Sequence, residues 1–235
     1  MSNIAASANS HTIQAPRRTL SRLTALFRNR FRLEPIVDLR EGQIVGAEIL
    51  RHGLQRRLNI GWKSWYSHVG EVSLGGGQGR HGLLFVNLDT VQIRNPLLMK
   101  GLLTGLPDAT KVVLEWTELP GSMLQLREAS EILKECRDTH GVKLCVDDFG
   151  AGADGVQRLT MICPDIVKCD GPMLHRARES TYARAVLKDV VLLIRDVGAK
   201  AVIEWVESES DLDIARDTGA HWGQGYLWAS HEGWL

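Results

Sequence analysis

The stretch VKLCVDDFGAG, Val142 to Gly152, decides the reading of the chain. An apolar run of strand character ends in two adjacent aspartates, a phenylalanine and two glycines. A buried strand does not finish in a doubled negative charge unless a cation meets it there. In a continuing strand Asp147 and Asp148 face opposite sides, but at a strand end the chain turns and brings both to one place. Gly150 and Gly152 offer the backbone freedom for that turn. The expectation is a divalent-metal site at the mouth of an α/β barrel.

Working outward, the same pattern recurs. PIVDL, QIVGAEIL, GLLFVNLD, KVVLEWTE, VKLCVDD, DIVKCD, KAVIEWVE and GQGYLWA read as strands. Helical patterns with interpretable ends lie between several of them: Ser122 to Gly141, Ser180 to Gly198 and Ser208 to Gly219. Near-continuous apolar strands alternating with helices predict a parallel sheet covered by helices. The first two runs meet through Arg40-Glu41-Gly42-Gln43, which predicts an antiparallel hairpin.

The strand-like runs end in Glu48, Asn87, Glu115, Asp147 with Asp148, Lys168 and Glu204. One carboxylate at a strand end is ordinarily a helix cap or a solvated rim residue. Six such ends in one chain place them together at the C-terminal mouth of a barrel, where barrel active sites are built. Five carboxylates and an amide oxygen suit Mg²⁺ or Mn²⁺, with two ions as the expected number. Such a centre activates water and stabilises the leaving oxygen of a phosphodiester. Lys168, set among acids, stays protonated and either orients the water or neutralises developing charge.

Composition narrows the class. Hydrophobic content of 44% and charged content of 24% fit a globular protein with a sizeable core, and no apolar run approaches the length of a membrane span. Cys136, Cys145, Cys163 and Cys169 form no C-x-x-C pair, so buried thiols are expected rather than disulfides or a zinc site. The expected localisation is cytoplasmic, since MSNIAASANS lacks the form of a secretory signal. Net charge is zero, yet residues 1–33 carry Arg17, Arg18, Arg22, Arg28, Arg30 and Arg32 with no acid. The rest therefore holds 22 basic against 28 acidic residues. That acidic body argues against a nucleic-acid surface. Residues 1–31 read as a basic segment before a barrel domain at 32–235. Leu20, Leu23, Leu26 and Phe27 stand at helical spacing, either as a short helix docked on its own domain or as a contact for an anionic membrane or a partner.

At these residues the chain resembles the EAL domains of bacterial cyclic di-GMP signalling, which are cyclic-dinucleotide phosphodiesterases with a TIM-like barrel. DDFGAG looks like the family's DDFGTG, DIVKCD like D-x-x-K-x-D, IEWVES like A-E-G-V-E-T, and QGY like the closing Q-G-Y/F. AEIL corresponds to the naming motif. The resemblance implies Glu48, Asn87, Glu115, Asp147, Asp148 and Glu204 as metal ligands. It implies Lys168 on the nucleophilic water, as general base or orienting group. Glu118 would anchor the loop after Asp148, with Gln224, Glu207 and Asp170 supporting the ligands or the substrate. Cyclic di-GMP is the implied ligand, with a second copy or a regulatory protein as partner. A reduced module that binds without turnover is the alternative.

Three departures accompany the match. The family reads E-A-L-L-R, whereas here Glu48-Ile49-Leu50-Arg51-His52 puts the arginine one residue early. Alternation then sets His52 on the face of Glu48, where an arginine would hold phosphate, and turns Arg51 away unless a shifted strand end brings it back to the substrate. The segment His52 to Asn87 is shorter than the family norm, and its GGGQGRHG reads as a flexible connector, not a P-loop. Trp205 stands where the family has glycine, and is expected to pack toward the covering helices.

Overall fold

Asp38 makes the first turn of the chain. Its Oδ1 accepts the backbone N–H groups of Arg40 and Glu41 at 2.9 Å each, and Gly42 closes the turn at φ +69°. The antiparallel hairpin so formed joins β1 (Phe31–Asp38) to β2 (Ile44–Arg51). The computed structural model describes residues 31–51 (main chain alone at 31, 32 and 51), 82–106, 108–117, 121–152 and 154–228. The arginine-rich segment and the connector GGGQGRH lie outside the described residues.

After the hairpin, strand and helix alternate. They are β3 (Leu83–Leu88), α1 (Thr90–Ile93), α2 (Pro96–Thr104), β4 (Val112–Trp116), α3 (Met123–His140), β5 (Lys143–Phe149) and α4 (Gly155–Ile162). There follow β6 (Ile166–Cys169), α5 (Gly171–Glu179), α6 (Thr181–Asp196), β7 (Lys200–Ile203), α7 (Glu209–Asp217) and β8 (Trp222–Gln224). The eight strands close into a barrel in chain order. Every neighbouring pair from β2 to β8 is parallel, while β1 runs antiparallel to both β2 and β8. This is the expected TIM-like barrel with an antiparallel first strand. The last run is shorter than the sequence suggested: pairing stops at Gln224, and Tyr226–Trp228 form a 3₁₀ turn.

Helix ends follow their caps. Ser122 accepts the N–H of Gln125 in a capping box, and Gly141 ends α3 in the left-handed conformation. Ser180 caps α6 and Ser208 caps α7. Three of the four cysteines are buried free thiols as expected, but Cys163 is exposed, because it ends α4 with φ +45°.

Two apolar layers hold the barrel. Outward-facing strand residues pack beneath the helices with Trp116, Leu133, Leu174 and Val191 among them. Inside, Ile36, Phe85, Val113, Cys145, Ile166 and Val202 fill the lumen as a separate cluster.

One polar clasp fixes the helices around the last strands. Buried Asp211 receives Arg178 Nε at 2.5 Å and Nη2 at 2.9 Å, Glu207 N at 3.1 Å, and Ser208 N and Oγ at 2.9 and 2.8 Å. Burial would raise this carboxyl, but the Arg178 and Ser208 hydrogen bonds outweigh it and hold it below the usual 3.8. Its stabilisation is therefore complete above that value and lost as pH falls through the lowered one. Asp211→Ala should destabilise by about 2–3 kcal/mol in urea unfolding, the low side for such a pair because Arg178 keeps part of its water. An unchanged midpoint would remove the clasp from the account of stability.

Candidate active site

The lumen plug determines what lies above it. Two residues beyond Phe85, Val113, Cys145, Ile166 and Val202 come Asn87, Glu115, Asp147, Lys168 and Glu204. Strand alternation turns each of these to the same interior, one layer higher. Gly46 and Glu48 on β2, and Trp222 and Gln224 on β8, keep the same step. Gly46 has no room for a side chain, since a Cβ there would lie 2.5 Å from the Leu83 carbonyl oxygen. A polar layer thus sits directly on an apolar one, at the C-terminal ends of the parallel strands.

β5 departs from regular pairing where this layer begins. Its register against β6 shifts between Val146 and Phe149, and Asp148 adopts φ +52°. Aspartate tolerates the left-handed region as a single residue. The turn brings ligand oxygens of Asp147, Asp148 and Glu204 within 4.8 Å of one another. The sequence assigned the turn to Gly150 and Gly152. Gly150 takes part at φ +102°, but the decisive bend is at Asp148 itself.

Lys168 is the centre of the layer. Its side chain is 1% exposed, and Nζ lies 3.0 Å from Glu48 Oε2, 3.4 Å from Glu115 Oε1, 3.2 Å from Asp147 Oδ1 and 2.9 Å from Glu204 Oε1. Three strands, β2, β4 and β5, and the residue after β7 contribute to this one ammonium. Burial would strip its proton, yet Asp147, Glu115, Glu204 and Glu48 prevail and hold the pKa well above the usual lysine value. Glu48 is the best-partnered acid, with Oε1 accepting Asn87 Nδ2 and Oε2 accepting Gln224 Nε2 at 2.6 Å. Desolvation pushes up Glu115 and Asp147, and raises Glu204 to about 8, despite Lys168.

These numbers test whether the donors fit a divalent cation. Five carboxylates, counting Asp148, face one ammonium. Asn87 Oδ1 and Glu115 Oε2 are buried and accept no hydrogen bond from the described residues. Buried oxygens without donors, in an excess of negative charge, are what a hard cation satisfies. The residues present fit Mg²⁺ or Mn²⁺.

The remaining sequence expectations fall as follows. Gln224 is only 4% exposed, and its amide holds the Glu48 carboxylate in place. Asp170 is buried at the start of α5. Glu207 faces α5, with Oε2 3.4 Å from Arg178 Nη2 and 3.8 Å from His175 Nε2. Glu118, His52 and the side chain of Arg51 lie outside the described residues. Trp205 corrects the expectation of core packing: it takes φ +58° and is 48% exposed. Sequence reasoning passed over Arg158, fully buried, whose Nη1 donates to the Trp116 carbonyl at 2.5 Å and whose Nε meets Asp154 at 3.2 Å. It fixes the backbone next to Glu115, and the Asp154–Arg158 spacing on a helix was its signal.

The family model described as "EAL domain" matches residues 63–231. The uncharacterized protein y4lL of Sinorhizobium fredii is 28% identical over 217 residues, 83% of this chain and 26% of that one. Cyclic di-GMP phosphodiesterase PdeL of Escherichia coli is 27% identical over 52% of this chain and 33% of its own length. The chain therefore spans about a third or less of these curated relatives. Among solved structures, Klebsiella pneumoniae BlrP1 in its manganese and cyclic di-GMP complex superposes with a TM-score of 0.72 at 24% identity, covering 84% of this chain and 54% of that one.

Proposed function

The chain belongs to the EAL domain family, and on that premise we propose that it is a metal-dependent phosphodiesterase opening cyclic di-GMP to pGpG. The observation that carries the reading is the buried Lys168 ammonium, ringed by carboxylates from β2, β4 and β5 and from the residue after β7. The family model begins at residue 63, so it does not include Glu48, which nevertheless stands in the same ring through Asn87, Gln224 and Lys168. Relatives add support: PdeL is named for this activity, and BlrP1 is described with manganese and cyclic di-GMP.

Glu48, Asn87, Glu115, Asp147, Asp148 and Glu204 would hold the ions. Bound there, they would supply positive charge to the phosphoryl oxygens and lower the pKa of water. In the reaction the water oxygen bonds to phosphorus, one P–O bond to the ribose 3′ oxygen breaks, and that oxygen takes up a proton. Lys168, buried among its acids, would orient the water as a hydrogen-bond donor. The proton released by water then passes to the carboxylates around it. Gln224 and Asn87 keep Glu48 aimed at the site from opposite sides of its carboxylate.

A second reading, binding without turnover, is favoured by one observation: the sequence Glu48-Ile49-Leu50-Arg51-His52 shifts the phosphate-binding arginine by one residue. Chromatography of cyclic di-GMP incubated with the full chain and Mg²⁺ or Mn²⁺ separates the two. Appearance of pGpG establishes the enzyme. Binding in Ca²⁺ with no product in the active metals makes it a receptor, and absence of both sinks the ligand assignment.

A further inference from the structure

We propose that Trp205 is a base-stacking platform at the rim of the site, and that it takes a purine base of the cyclic dinucleotide. The inference rests on the reading above for its ligand, but the platform itself comes from the geometry of this chain. Trp205 directly follows Glu204, whose carboxylate meets Lys168 at 2.9 Å. Its φ of +58° lies in the region that a bulky side chain rarely enters. Strain of that kind persists where the surroundings impose it, and it concentrates at ligand sites.

The indole rests against α5. A Cβ built on Gly171 would lie 2.1 Å from Trp205 Cγ and Cδ2 and 2.7 Å from Cδ1. All three atoms belong to the five-membered ring, so the ring lies face-down on the bare α-carbon that starts α5. One turn further along the same helix, His175 meets the indole edge to face, with ring centroids 5.2 Å apart at 63°. Gly171 and His175, four residues apart, share one face of α5 and together form the floor. Trp205 nevertheless remains 48% exposed. Packing does not require this arrangement, since a residue buried for packing would not leave half its surface wet.

A held ring that is half exposed, one residue from the acids proposed to bind the phosphodiester, is suited to a flat aromatic ligand group. The base of a nucleotide whose phosphate lies over Lys168 is such a group, and its sugar supplies the short link between them. A glycine at this position would fit the positive φ but offer no surface. The chain therefore accepts strain at residue 205 and gains contact area beside the site.

The test is calorimetric binding of cyclic di-GMP to the full chain with Ca²⁺ in place of the active metal. Trp205→Gly suits the backbone, so it should melt no lower than the parent while binding roughly 5- to 150-fold more weakly. Trp205→Phe should recover much of the loss, which a purely structural role would not produce. Equal affinity of parent and Trp205→Gly overturns the platform and leaves the family reading intact. A parent that neither binds nor cleaves cyclic di-GMP overturns both. Should Trp205→Gly fail to fold, fluorescence decides: quenching by cyclic di-GMP that is lost in Trp205→Phe supports the stack, and quenching unchanged by that substitution refutes it.

Discussion

Lys168→Met should unfold about 3–5 kcal/mol more readily than the parent in a chelator, the range expected when one partner of a buried charge network is removed. The ammonium is the only cation within ion-pair distance of Glu48, Glu115, Asp147 and Glu204 among the described residues. Methionine fills similar volume but leaves those carboxylates facing one another on an apolar plug. They then protonate or capture a cation. Millimolar Mg²⁺ or Mn²⁺ should therefore return much of the lost stability, about 2.7 kcal/mol at a hundredfold excess over Kd, and raise the variant's midpoint more than the parent's. Turnover should stay lost in either condition, because the water loses its donor. The sign of the pH effect follows from the raised acids. In chelator the folded parent binds more protons than the unfolded chain between 4.5 and about 8, so stability falls as pH rises through that window. Urea unfolding of both proteins, with chelator and with metal, checks each statement. A variant as stable as its parent without metal would show that Lys168 does not balance the acids.

Much of this site was legible because it depends on alternation. Once a strand's apolar residues are assigned to the lumen, the residue two further on must share that face, and the ends at Asn87, Glu115, Asp147, Lys168 and Glu204 follow. Caps at Ser122, Ser180 and Ser208 were legible for a local reason, since each bonds a backbone N–H three residues away. What escaped depends on contacts between distant parts of the chain. The exposure of Trp205 is set by Gly171, thirty-four residues earlier, and no periodicity encodes that. The role of Gln224 requires β8 to close against β1 beside Glu48, a fact of barrel geometry. Arg158 reads as an ordinary surface helix residue until α4 packs its guanidinium onto the carbonyl of Trp116. The turn at this strand end was legible, but its freedom was assigned to Gly150 and Gly152, and only the register shift between Val146 and Phe149 places the bend at Asp148.

Glu48→Ala should abolish hydrolysis of cyclic di-GMP, with a loss of roughly a thousandfold or more if one charge-stabilising group of the reaction is removed. The argument begins with its partners. Glu48 is buried, and its two oxygens accept Asn87 Nδ2, Gln224 Nε2 and Lys168 Nζ. Burial alone would raise its pKa, but Lys168, Gln224 and Asn87 reverse this and keep it below the usual 4.5. In contrast to Glu115, Asp147 and Glu204, whose pKa values are raised, Glu48 is therefore held ionised by its own neighbours. That makes it a dependable anionic ligand. Alanine removes the charge, takes one of four carboxylates from Lys168 and leaves the Asn87 and Gln224 amides without this acceptor, so metal binding should weaken along with turnover. Glu48→Gln separates charge from shape. It preserves the volume, but its NH₂ group faces donors on both sides and cannot replace the second acceptor oxygen. Both variants should lose pGpG formation, while Glu48→Gln melts closer to the parent than Glu48→Ala. Product formation by either variant at the parent rate would exclude Glu48 from the ion-binding set. The reaction would then have to run on Asp147, Asp148 and Glu204, the three acids that the turn at Asp148 brings together.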